Sequence, residues 1–453
     1  MSDFGALSVG LSGLQAHRRA LDVAGHNLAN VNSPGYSRQR VDLSPMTEPV
    51  GAAIFARTNG AGLGVRASTA YRLHDQFTET RALQEHGADA SLKQSQAVLG
   101  QIELAVNEPS DTGLASQINR FMAAWHDVAN RPDDLSARRQ IIEVGKTLAA
   151  DFARLNGSFS AMSNNLTSQL QAGIADVNTT ASAVADLNTR ILAAVNADMP
   201  AGDLMDQRDS LVRTLADQVG VTTRPQDKGV VDVYVGSIAL VRGGTADALR
   251  VDATSTLGVT AVVWDRLGIT ATASGSVGAL QGSINTTIPA YRAQLTAVQL
   301  QLSNDVNAMH ATGFDLNGAA GLAFFQMGPG GLSVNPVIDG DPSKVAAAAT
   351  ATGLRDGSVA GKIADQTGAE SAYNAMVLHL GIESRTINRQ VATQSLVTEQ
   401  VDAAREATSG VNIDEEMTNM IAIQHAYDAS ARFISAVDSM LDTLIHNTGL
   451  VGR

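Results

Sequence analysis

Apolar residues recur at helical spacing over most of the chain, and the two ends carry the most regular patterns. Near the amino terminus four leucines lie seven residues apart with a fifth between them, which predicts an amphipathic helix over residues 5–31. A second heptad pattern predicts a helix from Asn412 to about His446. Together these apolar positions define a candidate assembly seam: Leu7, Leu11, Leu14, Leu21, Leu28, Met420, Ile423, Tyr427, Ile434, Val437, Leu441 and Leu444.

Local signals mark where the two terminal helices end or begin. Pro34 disfavours helical backbone at Ser33, and Gly35 permits a turn, so the first helix should stop there. Asn412 and Glu415 have the spacing of a capping box, which predicts that the last helix begins beside them. Neither helix buries enough apolar surface to be stable alone, so we expect disordered ends that become helical on assembly. The alternative from periodicity alone is an ordinary helical bundle in which the first and last helices are docked. The small-residue face at Ala16, Ala20 and Ala24 is predicted to stay free for another layer of helices.

Between the ends, helical segments surround a short β-rich region. Alternating and β-branched residues with turn glycines predict a small β domain over residues 221–283. A phase shift in the longest helical pattern indicates a stutter and not a break. Helical spacing covers residues 75–106, 114–128, 135–191, 288–309 and 370–407.

The predicted fold class is therefore mainly α with an inserted small β domain. Both terminal helices are expected to pair in one coiled-coil-like axial domain, followed by a second domain of long helices. The predicted boundaries are residues 1–40 and 410–453 for the terminal helical assembly domain, 41–220 and 284–409 for the long-helical middle domain, and 221–283 for the small outer β domain.

Composition argues against several classes of function. Only 4% of the 453 residues are aromatic although 44% are hydrophobic, which is typical of long helical seams and unusual for a compact enzyme core. The net charge of −13 and the lack of a basic run argue against nucleic acid as a partner. No apolar run is long enough for membrane insertion, and no secretory signal is recognised, so export would need another route. The chain has no cysteine, which excludes disulfides and thiolate metal sites.

No catalytic, cofactor-binding or metal site is predicted. The nine histidines show no metal-ligand spacing. The acidic run at 414–416 is explained by its place at the positive end of a helix dipole. We therefore expect a protein that is not an enzyme, while a helical extracellular hydrolase remains the alternative from another class.

Two terminal motifs carry a family resemblance. Residues 24–39 (AGHNLANVNSPGYSRQ) and residues 410–421 (GVNIDEEMTNMI), continued by MLDTL at 440–444, resemble the flagellar rod, hook and hook-associated proteins. The resemblance is strongest to the hook-associated branch, and Ser430 stands where the hook protein typically has asparagine. A hook or distal-rod axial protein is the alternative within the same class.

The resemblance implies a structural subunit of the bacterial flagellum at the junction of hook and filament. It implies type III export, a secreted and extracellular location, and assembly as a ring of about eleven subunits. The partners it implies are the hook protein, hook-associated protein 3, copies of the chain itself, and a cytoplasmic export chaperone at the carboxy-terminal helix. It also marks an axial motif at Asn27, Asn30, Pro34, Gly35 and Tyr36, in which Asn27 and Asn30 are expected to hydrogen-bond to neighbouring subunits.

Overall fold

The computed structural model describes residues 3–46, 62–252 and 259–447. Residues 47–61 of the predicted extended stretch after the first helix lie outside these ranges. The described residues form the α-helices α1 (Asp3–Ala29), α2 (Gln76–Val106), α3 (Leu114–Asn130), α4 (Leu135–Asn196), α5 (Gly202–Val219), α6 (Gly275–Gly282), α7 (Ile288–His310), α8 (Pro336–Gly340), α9 (Ser358–Ala364), α10 (Gly368–Ser409) and α11 (Ile413–Asn447).

The strands are short and all of their pairings are antiparallel. One sheet has four strands in the order β5–β6–β7–β8, and the other pairs are β1–β4, β2–β3, β9–β10 and β11–β12. Their bounds are β1 (Gln39–Arg40), β2 (Leu43–Pro45), β3 (Val65–Ala67), β4 (Tyr71–Arg72), β5 (Thr222–Pro225), β6 (Val231–Val235), β7 (Ile238–Arg242), β8 (Thr245–Ala246), β9 (Leu249–Asp252), β10 (Ala261–Trp264), β11 (Phe325–Gly328) and β12 (Gly331–Val334).

The mainly α fold with small β insertions is confirmed, and so is the pairing of the two terminal helices. The long helical pattern with a phase shift is one continuous helix, α4, of 62 residues. No helix in the described ranges is long and apolar enough to span a membrane.

The chain forms two compact units whose division differs from the predicted boundaries. The first unit contains residues 1–86, 178–248 and 396–453, and the second contains residues 87–177 and 249–395. The predicted β region is therefore divided between the two units.

Hydrogen bonds of two asparagines explain this division of the β region. In the first unit Asn188 of α4 donates 2.8 Å hydrogen bonds to the carbonyls of Val231 and Gly243, which attaches the four-stranded sheet to that helix. In the second unit Asn285, in the π-helical turn between α6 and α7, exchanges hydrogen bonds of 2.7 and 2.9 Å with the backbone of Thr260 beside β10. Each part of the β region therefore belongs to the same unit as the helical residue to which it is hydrogen-bonded.

An aromatic cluster occupies the core of the second unit. Phe121 and Trp125 of α3 pack against Phe324 and Phe325 with ring centroids 5.2 to 5.9 Å apart. The rings of Phe121 and Trp125 lie 6.3 Å from each other. His310 lies against Trp125 and is fully buried. Its Nδ1 is 2.5 Å from the carbonyl oxygen of Leu322, and its Nε2 accepts the N–H of Ala346 at 2.8 Å. This geometry requires the neutral ring, protonated on Nδ1.

We expect the second unit to lose stability in acid through His310. Burial lowers the pKa of His310 to about 4, from an ordinary value of 6.5. The neutral ring therefore stabilises the fold above pH 6.5, and that contribution is lost as the pH falls towards 4, by about 3 kcal/mol in all. Both tryptophans lie in the second unit, so urea unfolding followed by tryptophan fluorescence reports on it.

A His310→Gln variant is the control for this pH dependence, because glutamine does not titrate. Its free energy of unfolding should be lower at pH 7 but should fall less steeply between pH 6.5 and 4 than that of the wild type. Parallel pH profiles for the two proteins would contradict the assignment.

Candidate assembly surface

α1 and α11 pack against each other in antiparallel directions. A Cβ on Gly10 would lie 2.7 Å from Cγ1 of Ile434, and one on Gly13 would lie 3.2 Å from Oγ of Ser430. At the opposite end of the pair, Nδ2 of Asn27 donates to Oε2 of Glu416 at 3.3 Å. Residue numbers therefore rise along α1 as they fall along α11, and the two helix axes lie close together.

The seam predicted on α11 lies on the face towards α1. Its members are three, four or seven residues apart, and Glu416 lies four residues before the first of them, which places all of them on one side of the helix. Glu416 and Val437 are buried, and Leu444, near the end of α11, is 47% exposed. The remaining predicted positions are half-buried: Met420, Ile423, Tyr427, Ile434 and Leu441.

The face of α1 that meets α11 is not the predicted leucine stripe. Leu11 is 50% exposed, and Leu7, Leu14, Leu21 and Leu28 are only half-buried. The prediction that Ala16, Ala20 and Ala24 stay free is wrong, because Ala16 and Ala24 are buried and Ala20 is partly buried. Glycine and alanine allow the two helix backbones to approach closely, and the larger side chains of α11 fill the space between them.

Asn27 forms a buried hydrogen-bonding centre at the end of α1. Its Oδ1 accepts the hydroxyl of Tyr36 at 2.8 Å and the N–H of Gln39 at 2.9 Å. Its Nδ2 donates to the carbonyl of Gln39 at 2.9 Å and to Glu416. All four hydrogen-bonding positions of the amide are thus used within the chain. The predicted role of Asn27 in bonding to a neighbouring subunit is therefore corrected, since no donor or acceptor position remains for one.

The other residues of the axial motif shape the chain immediately after α1. Asn30 donates to the carbonyl of His26 at 3.0 Å and accepts from the hydroxyl of Ser33 at 3.1 Å, which closes the end of the helix. Pro34 is exposed, and Gly35 adopts φ +80°, a conformation that favours glycine. Burial, with Asp203, Asp206 and Glu416 nearby, raises the pKa of Tyr36 above its usual range, so its hydroxyl stays protonated as a donor.

The start of α11 is fixed by a cap and two ion pairs. Asn412 accepts the N–H groups of Asp414 at 2.9 Å and Glu415 at 3.3 Å, which confirms the predicted helix start. Arg38 forms ion pairs with Glu415 at 2.9 Å and with the buried Glu416 at 2.6 Å. Residues 36–40 therefore tie the end of α1 to the beginning of α11.

A second buried ionic cluster supports the same segment. Arg72 of β4 forms ion pairs with Asp206 at 2.6 Å and Asp209 at 2.9 Å, both on α5, and Asp206 accepts the N–H of Ser37 at 3.2 Å. Burial alone would raise the pKa of Asp209, but Arg208 and Arg72 lower it, so the carboxylate stays charged. The segment after α1 is thus held to α5 as well as to α11.

Sequence reasoning did not assign several residues to this contact. Small or polar residues repeat at three- and four-residue intervals along the face of α1 that meets α11, but they carry little hydrophobic signal: Gly10, Gly13, Ala16, Ala20, Ala24 and Asn27. Glu416 was assigned only to the helix start, although its carboxylate is buried at the centre of the contact. The ionic cluster around Arg72 joins segments far apart in the sequence, so spacing could not predict it.

Three protein-family descriptions match separate parts of the chain. Residues 99–325 match the helical domain of flagellar hook-associated protein FlgK. Residues 405–447 match the C-terminal region of flagellar basal body rod FlgEFG proteins, and residues 7–36 match the flagella basal body rod protein family. The last two matches fall on α11 and α1.

Individual relatives agree with these matches. Flagellar hook-associated protein 1 of Bacillus subtilis strain 168 is 26% identical, with both chains covered completely. The protein of the same name from Escherichia coli K12 is 24% identical over 96% of this chain and 98% of its own. The solved structure of the flagellar hook junction protein FlgK from Burkholderia pseudomallei is similar with a TM-score of 0.50 and 26% identity, over 55% of this chain and 47% of that one.

Proposed function

This chain belongs to the flagellar hook-associated protein family, and from that membership we propose how it works as a structural subunit of the junction between hook and filament. Each copy contributes its α1–α11 pair to an inner helical layer, and about eleven copies complete one turn of a ring. The antiparallel pairing of the terminal helices carries this proposal. It brings both matched rod-type segments to one surface.

Assembly is proposed to complete the folding of the inner layer. α1 packs mainly against α11, β1 and β3, and the seam on α11 is largely half-buried. A helix pair with this little burial gains stability when further apolar surface covers it. The ring would therefore stabilise the terminal helices at the same step at which it forms.

The proposed partners follow the family. We infer that the hook protein lies on one side of the ring, hook-associated protein 3 on the other, and that an export chaperone covers α11 before assembly. Export through the flagellar channel and an extracellular location belong to the same proposal. The proposed role is mechanical, and in support of it the buried polar groups of the α1–α11 contact, such as Asn27 and Glu416, are engaged with each other and with residues 36–40.

Hydrogen exchange tests the proposal. The full chain is measured as a dilute monomer and again after addition to purified hooks. Amides of residues 3–29 and 413–447 should exchange freely in the monomer and become protected on hooks. Protection that is complete in the monomer and unchanged by hooks would overturn the proposed coupling of folding to assembly.

Charges introduced on the seam of α11 should abolish assembly. The double substitution Ile434→Asp and Leu441→Asp places carboxylates on the face towards α1, where burying them is costly. We expect no capping of hooks and no copurification with the chaperone. The matched control is Thr418→Asp with Ser439→Asp, two exposed positions of the same helix, which should behave as wild type. Normal capping by the seam variant would contradict the assigned seam.

A further inference from the structure

Three helices of the first unit meet at a single histidine. His86 of α2 lies between Asp217 of α5 and Asp402 of α10, and all three residues belong to that unit. The ring Nδ1 is 3.4 Å from Oδ1 of Asp217, and the ring Nε2 is 3.1 Å from Oδ2 of Asp402. The histidine side chain is 26% exposed, so protons can reach the ring from solvent.

This contact is complete only when the ring carries two protons. A neutral imidazole has one N–H donor and one bare nitrogen, and carboxylates only accept hydrogen bonds. With a neutral ring, one of the two aspartates therefore faces a lone pair. A protonated ring donates to both aspartates at once and places a positive charge between two negative ones.

The arrangement suits a proton better than a metal ion. Each ring nitrogen approaches a different carboxylate, so the three side chains do not converge on one point. Within the described residues, no group of three or more histidine, aspartate or glutamate side chains has the geometry to hold a metal ion.

The charged groups around His86 on the three helices have partners of their own. The pairs lie 2.6 to 3.9 Å apart and are Glu79 with Arg213 and with Arg405, Glu85 with Arg81, and Asp89 with Lys93. Glu399 and Glu406 of α10 are exposed to solvent. Carboxylates and guanidinium groups keep their charge near neutral pH, so His86 is the group of this layer that titrates there.

The two aspartates determine the direction of the titration. Hydrogen bonding to Asp217 raises the pKa of His86 above the ordinary value of 6.5, burial opposes this, and Asp402 raises the pKa further. The stabilisation from the protonated ring is therefore fully present below pH 6.5 and is lost as the pH rises through the higher pKa of the folded state. This direction is opposite to that of His310 in the second unit.

The contact also bears on how the terminal helices are supported. α10 ends two turns after Asp402 and leads directly into α11. α5 holds the segment after α1, because Asp206 accepts the N–H of Ser37. His86 therefore connects the helix that leads into α11 with the helix that holds the end of α1.

We propose that His86 is a proton-dependent switch in the first unit. When protonated, it joins α2 to both α5 and α10. When neutral, it releases one of the two aspartates, and α5 and the end of α10 open locally more often. The switch belongs to the single chain and goes beyond the proposed function. It makes the support of the α1–α11 pair more rigid in mildly acidic surroundings than in mildly alkaline ones.

Hydrogen exchange on the full-length monomer tests the switch. Mass spectrometry follows peptides from residues 202–219 and 396–409 at about pH 6 and about pH 8.5, and each rate is corrected for the rate of an unstructured amide at the same pH. In the wild type, protection of these peptides should fall about threefold or more between the two pH values. His86→Gln should give the lower protection at both, because glutamine carries no charge.

Two further variants complete the test. His86→Arg keeps a charged donor for both carboxylates, so its protection should stay high at both pH values. His126→Gln removes an exposed histidine of the second unit, 3.9 Å from Asp365, and should keep the wild-type pH dependence. Equal wild-type protection at the two pH values, or the same fall in the His86→Gln chain, would overturn the switch and leave the junction role untouched. If a variant does not fold, the wild-type profile decides.

Discussion

An Asn27→Ala chain is expected to cap hooks about a hundredfold less effectively than the wild type. The substitution leaves Glu416, Tyr36 and the backbone of Gln39 without the partner that now joins them inside the protein. An unsatisfied buried group costs about 1 to 3 kcal/mol, so we expect a combined loss of about 3 kcal/mol. That loss corresponds to about two orders of magnitude in the half-capping concentration, the protein concentration at which electron microscopy shows half of purified hook ends carrying the protein.

An Asn27→Asp chain separates hydrogen bonding from side-chain size. The new carboxylate keeps the acceptor for Tyr36 and Gln39 but faces Glu416 across a contact that is now 3.3 Å long. Capping should be at least as weak as with alanine, because two carboxylates then face each other and the donor to the carbonyl of Gln39 is lost. Asn30→Ala, which removes only bonds at the helix end, is the milder control. Capping by the aspartate chain at the wild-type level would contradict this account.

A Gly13→Leu chain is expected to lose about 2 to 3 kcal/mol of helix pairing, which is about 30- to 100-fold in the half-capping concentration. Its Cβ alone would lie 3.2 Å from Oγ of Ser430, so the rest of the side chain must push α11 away. The intrinsic helix preference of leucine over glycine is worth only about 1 kcal/mol and cannot offset this displacement.

The matched control is Gly157→Leu on α4. A Cβ at Gly157 has no neighbour within 4 Å, so the same substitution should leave capping unchanged there. If both leucine chains cap hooks like the wild type, the close approach of α1 and α11 is not required for assembly.

The two terminal helices show which sequence signals were informative. The face of α11 could be predicted because its contact positions hold large apolar residues at heptad spacing. The leucine repeat of α1 is equally regular, yet it lies one residue beyond the contact positions, and one residue turns a helix by about 100°. Periodicity of the largest residues identified a real face of α1 but not the one that meets α11.

Polar contacts over long sequence distances could not be predicted. Asn27 and Glu416 are 389 residues apart, and Ser37 and Asp206 are 169 apart. Each of these residues has an ordinary local explanation as a surface amide, a turn residue or a helix-start acid. The division of the β region between the two units likewise depends on Asn188 and Asn285, whose bonds to strands and loops exist only in the folded chain.

The antiparallel terminal pair also sets the order in which this chain can fold. Its contacts join the first thirty residues or so to the last forty, so closing it requires nearly the longest loop that the chain can make. A nascent chain that lacks its last helix can offer α1 only β1 and β3 of its main partners, whatever the state of the rest of the chain. Contacts of such high sequence separation form slowly and late. The pair therefore closes only after the whole chain has been made, when the more local contacts between its ends can already be in place.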